Sequence, residues 1–331
     1  MSRRGRAVLA DAVRALKPSM ILFDMLRTAQ YAEDPGLLPR TCRRVLDLDD
    51  VLSDRYAQMR RNGTTEVLGA MAGAVPAGAR PLAAAIPKLL LGIEERRMHH
   101  REEALPRLFD AVMLTSPVEA RKFADRVEHP SISACPPAVS VRPLHDRQWQ
   151  SPRFVFIGAD SYAPNAEALK EMDEVAARIK ALGVPARFEA AGTVSGRLHL
   201  RHVRQIGYVE DLSSFLDDNA ILLAPILTGT GVKTKIVEAM ARGVPVVTTP
   251  KGAEGLDVTP GVHLIVAEDM ESMAESCANL WANSQRLKRL ARAGHNYACS
   301  VHADSKVRES FFAITQAPEH EADSRRRRRT A

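Results

Sequence analysis

A chain of 331 residues is longer than an ordinary domain and is read as two domains of about 150 residues, each able to bury its own core. With 45% hydrophobic and 26% charged residues, and no apolar stretch near the roughly 20 residues that span a bilayer, the composition argues against an integral helical membrane protein. The formal charge of +6 owes much to the arginine run 325–329 and to Arg3, Arg4 and Arg6, so the middle of the chain is closer to neutral.

These basic ends read as solvated tails, and a disordered tail is expected over 317–331. Neither a zinc-knuckle spacing nor a basic stretch interleaved with aromatics points to nucleic acid, so no specific nucleic-acid partner is expected. Cys42, Cys135, Cys277 and Cys299 form no CxxC pair, which disfavours a disulfide framework or zinc site and suits a reducing cytosol. The stretch AVLADAVRALKPS carries charges every few residues and is no signal peptide, so a cytoplasmic location is expected.

Along the chain, MILFDML (20–26) and RRVLDLDD (43–50) read as short strands ending in acids, with helical stretches between and after them. Residues 67–92 are rich in Ala, Leu, Gly and Pro, and read as a loop with short helices. A charged helix is expected from Ile93, then a strand AVMLTS (111–116) and a helix opening at Pro117 with Glu119 in its first turn. Proline then interrupts the pattern, and the domain boundary is expected near 145, giving domains 1–145 and 146–316.

Beyond the boundary, strands RFVFIG, ARFEAAG, GYVED, AILLAPI, VPVVTT and HLIVA alternate with helices at 165–182, 212–218 and 233–242, and helices 270–283 and 284–297 follow. Continuous apolar strand runs suit burial on both faces, hence a parallel, doubly wound α/β sheet. In such sheets a ligand lies where strands end and helices begin. After AILLAPI comes LTGTGVKTKIVEAMARG, in which Gly229 and Gly231 permit close approach and the next helix offers free amides and a positive dipole end. Lys233 and Lys235 stand at that helix start, where cations are disfavoured unless an anion or solvent compensates them. Lys235 and Glu238 share a face, so a cation for phosphate and a carboxylate for a sugar diol point the same way; a plain surface pair is the competing reading.

The segment GTGVKTKIVEAMARGVPVVTTPKGAEGL, preceded by GYVEDLSSFLDDNAILLAPI and opened by RFVFIGADSYAPNAEAL, resembles the carboxy-terminal nucleotide-sugar domain of family 4 retaining glycosyltransferases, the group 1 type with the GT-B fold. The resemblance covers 151 to about 315. It implies two Rossmann-like, doubly wound domains facing across a cleft, with no obligatory metal or other cofactor beyond the nucleoside-diphosphate sugar that serves as substrate. Glu238 would hold the donor ribose and Lys233 or Lys235 would face the diphosphate, so these three carry the catalytic expectation. Gly158, Gly229, Thr230, Gly231, Thr249 and Glu254 would line the donor site, while Gly243 is read as a helix cap.

Two departures stand out. Relatives with a paired-glutamate motif have an acid where this chain has Thr230, and many have an arginine and a lysine where Gly158 is followed by Ala159, Asp160 and Ser161. No glycine-rich turn precedes Met20, so the first domain is expected to be shortened or incomplete. Asp24, Arg27, Asp49 and Asp50 are the acceptor-side candidates, with Asp47 beside them; the alternative is that these aspartates end a strand and cap a helix. Adjacent His99 and His100 point in different directions on a helix and are not read as metal ligands. The stretch 67–91, flanked by Arg60, Arg61, Arg96 and Arg97, offers an interfacial membrane element as an alternative to internal packing.

The resulting expectation is a glycosyltransferase acting on a saccharide or lipid-linked acceptor in cell-surface or exopolysaccharide biosynthesis, cytoplasmic or peripheral at the inner face of the membrane. The alternatives are a catalytically inert nucleotide-sugar-binding protein or truncated fragment and, third, a sugar-nucleotide epimerase.

Overall fold

The computed structural model describes residues 2–61, 80–144, 149, 151, 153–216 and 219–316, except the side chains of 80–88. The expected tail 317–331 and most of the stretch 67–91 therefore lie outside the described residues. The described parts fall into two compact units, Met1–Cys135 with Phe311–Ala331, and Pro136–Ser310. This division comes after Cys135 rather than near 145, and it counts the end of the last helix with the first unit.

In the first unit β1 (Met20–Asp24), β2 (Arg43–Asp49), β3 (Ala111–Leu114) and β4 (Ile132–Ala134) form a parallel sheet in that order. Apolar residues of β2 and β3 are almost wholly buried because helices and loops cover them. Glu102, itself buried, accepts from the Ser53 amide at 2.9 Å and from Arg126 Nη2 at 2.8 Å, joining the helices Leu52–Arg61, Arg80–Ala104 and Pro117–Arg126. Near its end the helix Asp304–Thr315 buries Ile314 against Val45, Ala111 and Met113, and Arg43 Nη2 donates to the Ile314 carbonyl at 3.1 Å.

The second unit is a six-stranded parallel sheet of β5 (Arg153–Ile157), β6 (Arg187–Ala191), β7 (Arg204–Gly207), β8 (Ala220–Ala224), β9 (Val246–Thr248) and β10 (Ile265–Val266). Their order is β10-β9-β8-β5-β6-β7, that of a Rossmann-type sheet. The chain winds outward from β5 in one direction, then returns to β8 and winds the other way, so the switch point lies between β5 and β8. All five residues of β8 are buried. Helix Ala163–Ala181 packs Ala168, Leu169, Met172, Val175, Ala176 and Ile179 on the sheet, a three-and-four spacing that keeps one face inward. Helix Thr234–Ala241 ends in a Schellman motif: the Val244 amide reaches the Ala239 carbonyl, the Gly243 amide reaches Met240, and Gly243 takes φ +67°, as expected of a cap glycine.

Some elements differ from the sequence reading. The charged helix begins at Arg80 rather than near Ile93, since Pro81 occupies a first turn that needs no amide donor and alanines and leucines continue it. Strand β4 and the helix Asp304–Thr315 were not expected. The strand placed at GYVED lies upstream, ending at Gly207, and the expected helix 212–218 is assigned only over Leu212–Phe215.

Candidate functional site

The carboxyl ends of β5 and β8 place two turns side by side at the switch point. After β5, the Gly158 amide bonds the Ala191 carbonyl at 2.8 Å, and the chain turns into helix Ala163–Ala181. Space is tight there: a Cβ on Gly192 would fall 2.2 Å from the Gly158 carbonyl oxygen, and one on Gly158 would fall 2.6 Å from Asn165 Nδ2. Asp160 is buried and braces this turn, accepting from the Ser195 amide at 2.7 Å.

After β8, Gly229 (φ +106°) and Gly231 (φ +68°) carry the backbone through left-handed conformations into helix Thr234–Ala241. Lys233 is the N-cap residue and makes no side-chain capping bond; its Nζ donates to the Gly231 carbonyl at 2.7 Å. The N-cap side chain itself, having no oxygen, offers the first amides of this helix no acceptor, which suits an anion site at a helix start.

Lys235 joins the two turns. Its Nζ donates to Asn165 Oδ1 at 2.5 Å and stands 4.2 Å from the centroid of the Phe156 ring, while Asn165 Nδ2 donates to the Ala159 carbonyl at 2.9 Å. Burial, helped by the charge of Lys233, pushes the Lys235 ammonium down from 10.5 to about 8. One step along, Thr228 Oγ1 donates to Glu167 Oε2 at 2.7 Å, so helix Ala163–Ala181 holds the 227–235 loop at two points. Glu238 is half-buried on the face it shares with Lys235, and its carboxylate meets no hydrogen-bond or ion-pair partner among the described residues. Thr230 lies half-buried in the 227–235 loop.

The remaining donor-side candidates have structural engagements. Thr249 is buried, donates to the Ile226 carbonyl and accepts from the Gly252 amide at 3.0 Å as the N-cap of Pro250–Ala253. Glu254 pairs with Lys251. Sequence reasoning passed over Asn165, Phe156, Thr228 and Glu167. Asn165 had a local signal, an amide side chain in the first turn after the Gly158 loop; its pairing with a lysine 70 positions away had none.

In the first unit, Asp24 and Asp47 are register neighbours on β1 and β2, and Asp49 (φ +62°) stands exposed beside them. Partial desolvation at the end of β2, with the neighbouring carboxylates, raises the carboxyl of the half-buried Asp47 and, although that residue is exposed, that of Asp49. Asp50 turns instead into a buried pair with Arg55, whose Nε lies at 2.9 Å. Arg27 is exposed. His99 pairs with Glu103 at 3.1 Å on an exposed helix face. Among the described residues no group of three or more His, Cys, Asp or Glu could hold a metal ion, and no helix is long and apolar enough to cross a membrane.

A cavity of about 370 Å³ lies at the opposite, amino-terminal ends of β6 and β7, lined by Lys180, Arg187, Glu189, His202 and Arg204 among others. It lies at the ends of the strands away from the switch point, so the carboxyl ends of β5 and β8 remain the candidate site.

Residues 151–283 match the family model described as Glycosyl transferases group 1. An uncharacterized 44.6 kDa protein in the cps region of Klebsiella pneumoniae is 32% identical over 103 residues, which is 31% of this chain and 26% of that relative. Among solved structures, TarM matches with a TM-score of 0.65 at 11% identity over 94% of this chain, which spans 58% of TarM; an S. aureus TarM variant has been solved with UDP. Sucrose-phosphate synthase from Thermosynechococcus elongatus matches at 0.60 and 13% identity, covering 95% of this chain and 79% of that one. Anabaena HepE in complex with UDP-glucose matches at 0.54 and 14% identity, covering 92% and 82%. The fold is that of GT-B glycosyltransferases, and the segment 151–283 is similar to group 1 glycosyltransferase domains.

Proposed function

We propose that this chain is a retaining glycosyltransferase that moves a sugar from a nucleoside-diphosphate donor to a saccharide or lipid-linked acceptor in the assembly of a cell-surface polysaccharide. The observation that carries the reading is the convergence at the switch point of Lys235, the helix start at Lys233 and the carboxylate of Glu238. Its chemistry suits each part of such a donor. The Glu238 carboxylate accepts from the two ribose hydroxyls, and Lys233, Lys235 and the amides from Gly229 to Thr234 face the diphosphate.

As the glycosidic bond to the donor breaks, negative charge grows on the diphosphate, and preset cations and amides stabilise it by several kcal/mol in a closed, dry site. Two lysines and a helix start supply that charge from the protein, so no obligatory metal is part of the proposal. The acceptor hydroxyl attacks on the face that the diphosphate leaves. The work takes place in the cytoplasm, at the inner membrane face where the acceptor is lipid-linked.

The test incubates the purified full chain with a panel of UDP-, GDP- and ADP-sugars and follows nucleoside-diphosphate release and the anomeric configuration of any product. Release accelerated by a saccharide or lipid-linked acceptor, with retained configuration, is expected. Binding without turnover across the panel would replace this reading with that of an inert nucleotide-sugar-binding protein, which the threonine at 230 in place of an acid favours.

A further inference from the structure

Resting on the reading of this site as a diphosphate cradle, we propose that Asn165 is a positioning residue, fixing the Lys235 ammonium at the junction of the Gly158 turn and the 227–235 loop, where a departing diphosphate would be gripped. The Asn165 amide is used at both ends: Nδ2 donates to the Ala159 carbonyl at 2.9 Å and Oδ1 accepts from Lys235 Nζ at 2.5 Å. Turned over, it would set NH₂ against an ammonium and a carbonyl oxygen against a carbonyl, so its orientation is dictated by its partners. Gly158 makes the seat possible, because any Cβ there would collide with the Asn165 side chain.

With Phe156 beneath the Lys235 ammonium and Asn165 at its tip, one of the three ammonium donors is engaged by the protein and the others remain for a ligand. The charge that acts on it is that of Lys233; Glu238 shares its helix face, and Glu167 on the facing helix is engaged with Thr228. That second tether keeps the loop in place without Asn165, so removing the amide changes the lysine rather than the fold.

A carbonyl that accepts from an ammonium favours the charged form, and a carboxylate in its place favours it more. The midpoints of Lys235 titration should therefore rise in the order Asn165→Ala, unaltered chain, Asn165→Asp. The experiment follows the ¹³Cε resonance of Lys235 in full-length protein labelled at lysine, assigned with Lys235→Met, after tryptophan fluorescence has established that each variant is folded. UDP and GDP binding at pH 7 is measured alongside, and Asn165→Ala should weaken the nucleotide that binds by about five- to tenfold. Identical midpoints in all three proteins overturn the proposal, leaving Asn165 a brace of the Gly158 turn. Ordered midpoints with neither UDP nor GDP bound by the unaltered chain overturn the diphosphate reading beneath it instead.

Discussion

Replacing Lys235 with methionine should make the Pro136–Ser310 unit more stable at neutral pH while removing part of its grip on a diphosphate. The Lys235 ammonium is held at about 8 against an ordinary 10.5, first by burial and then by Lys233. At about 1.36 kcal/mol per pH unit, this corresponds to about 3 kcal/mol against keeping the charge in the folded state at pH 7. Methionine keeps the apolar stem over Phe156 but leaves Asn165 Oδ1 without its donor, which costs about 1 kcal/mol, so a net gain of about 2 kcal/mol is expected.

The sign follows from proton uptake. Between about 8 and 10.5 the unfolded chain holds a proton on Lys235 that the folded chain has released, so the unaltered protein gains stability as pH rises and the advantage of methionine shrinks. Both tryptophans, Trp149 and Trp281, lie in this unit, so urea unfolding of the full chain followed by their fluorescence reports it selectively. A Lys235→Met chain that is less stable at pH 7, by the same amount at pH 10, would refute the reasoning.

Gly192→Ala sets a Cβ 2.2 Å from the Gly158 carbonyl oxygen and 2.9 Å from the Ala159 amide nitrogen, backbone atoms that cannot swing aside. It should cost at least about 2 kcal/mol in the same fluorescence assay, and a neutral result would contradict the close approach. Burial holds His302 below its ordinary 6.5 even though Nδ1 lies 3.0 Å from the Pro137 carbonyl. The unfolded chain therefore takes up the proton first as pH falls below 6.5, and the unit should lose stability there; His302→Asn should flatten that part of the profile, and an unchanged slope would remove His302 as its cause.

How much of this was legible beforehand depended on how local the signal was. AILLA and RFVFI read as buried strands because both faces are covered and every residue is apolar or turned inward. The Gly229 to Glu238 stretch read as a ligand turn because glycines, cations and a helix start follow one another directly. The Gly243 cap was legible for the same reason.

What escaped depended on distant partners. Ile132–Ala134 is a strand through its pairing with β3. The apolar residues of the helix Asp304–Thr315 crowd its end, and it is Ile314 and Phe311 meeting Val45, Ala111 and Met113 that show this end belonging with the first sheet. Thr249 looked like a rim residue until its hydroxyl was found between Ile226 and Gly252. Asn165 and Lys235 meet only because the sheet reverses its order between β5 and β8.

The most direct test of the account is calorimetric titration of the full chain with UDP, GDP and ADP, repeated with Glu238→Gln. With the matching monophosphates titrated alongside, at least one diphosphate should bind more tightly than its monophosphate. Loss of a charged hydrogen bond should weaken that binding by about 10- to 100-fold in the variant. Equal affinity in both proteins, or no nucleotide bound by either, would contradict a donor site at the junction of β5 and β8.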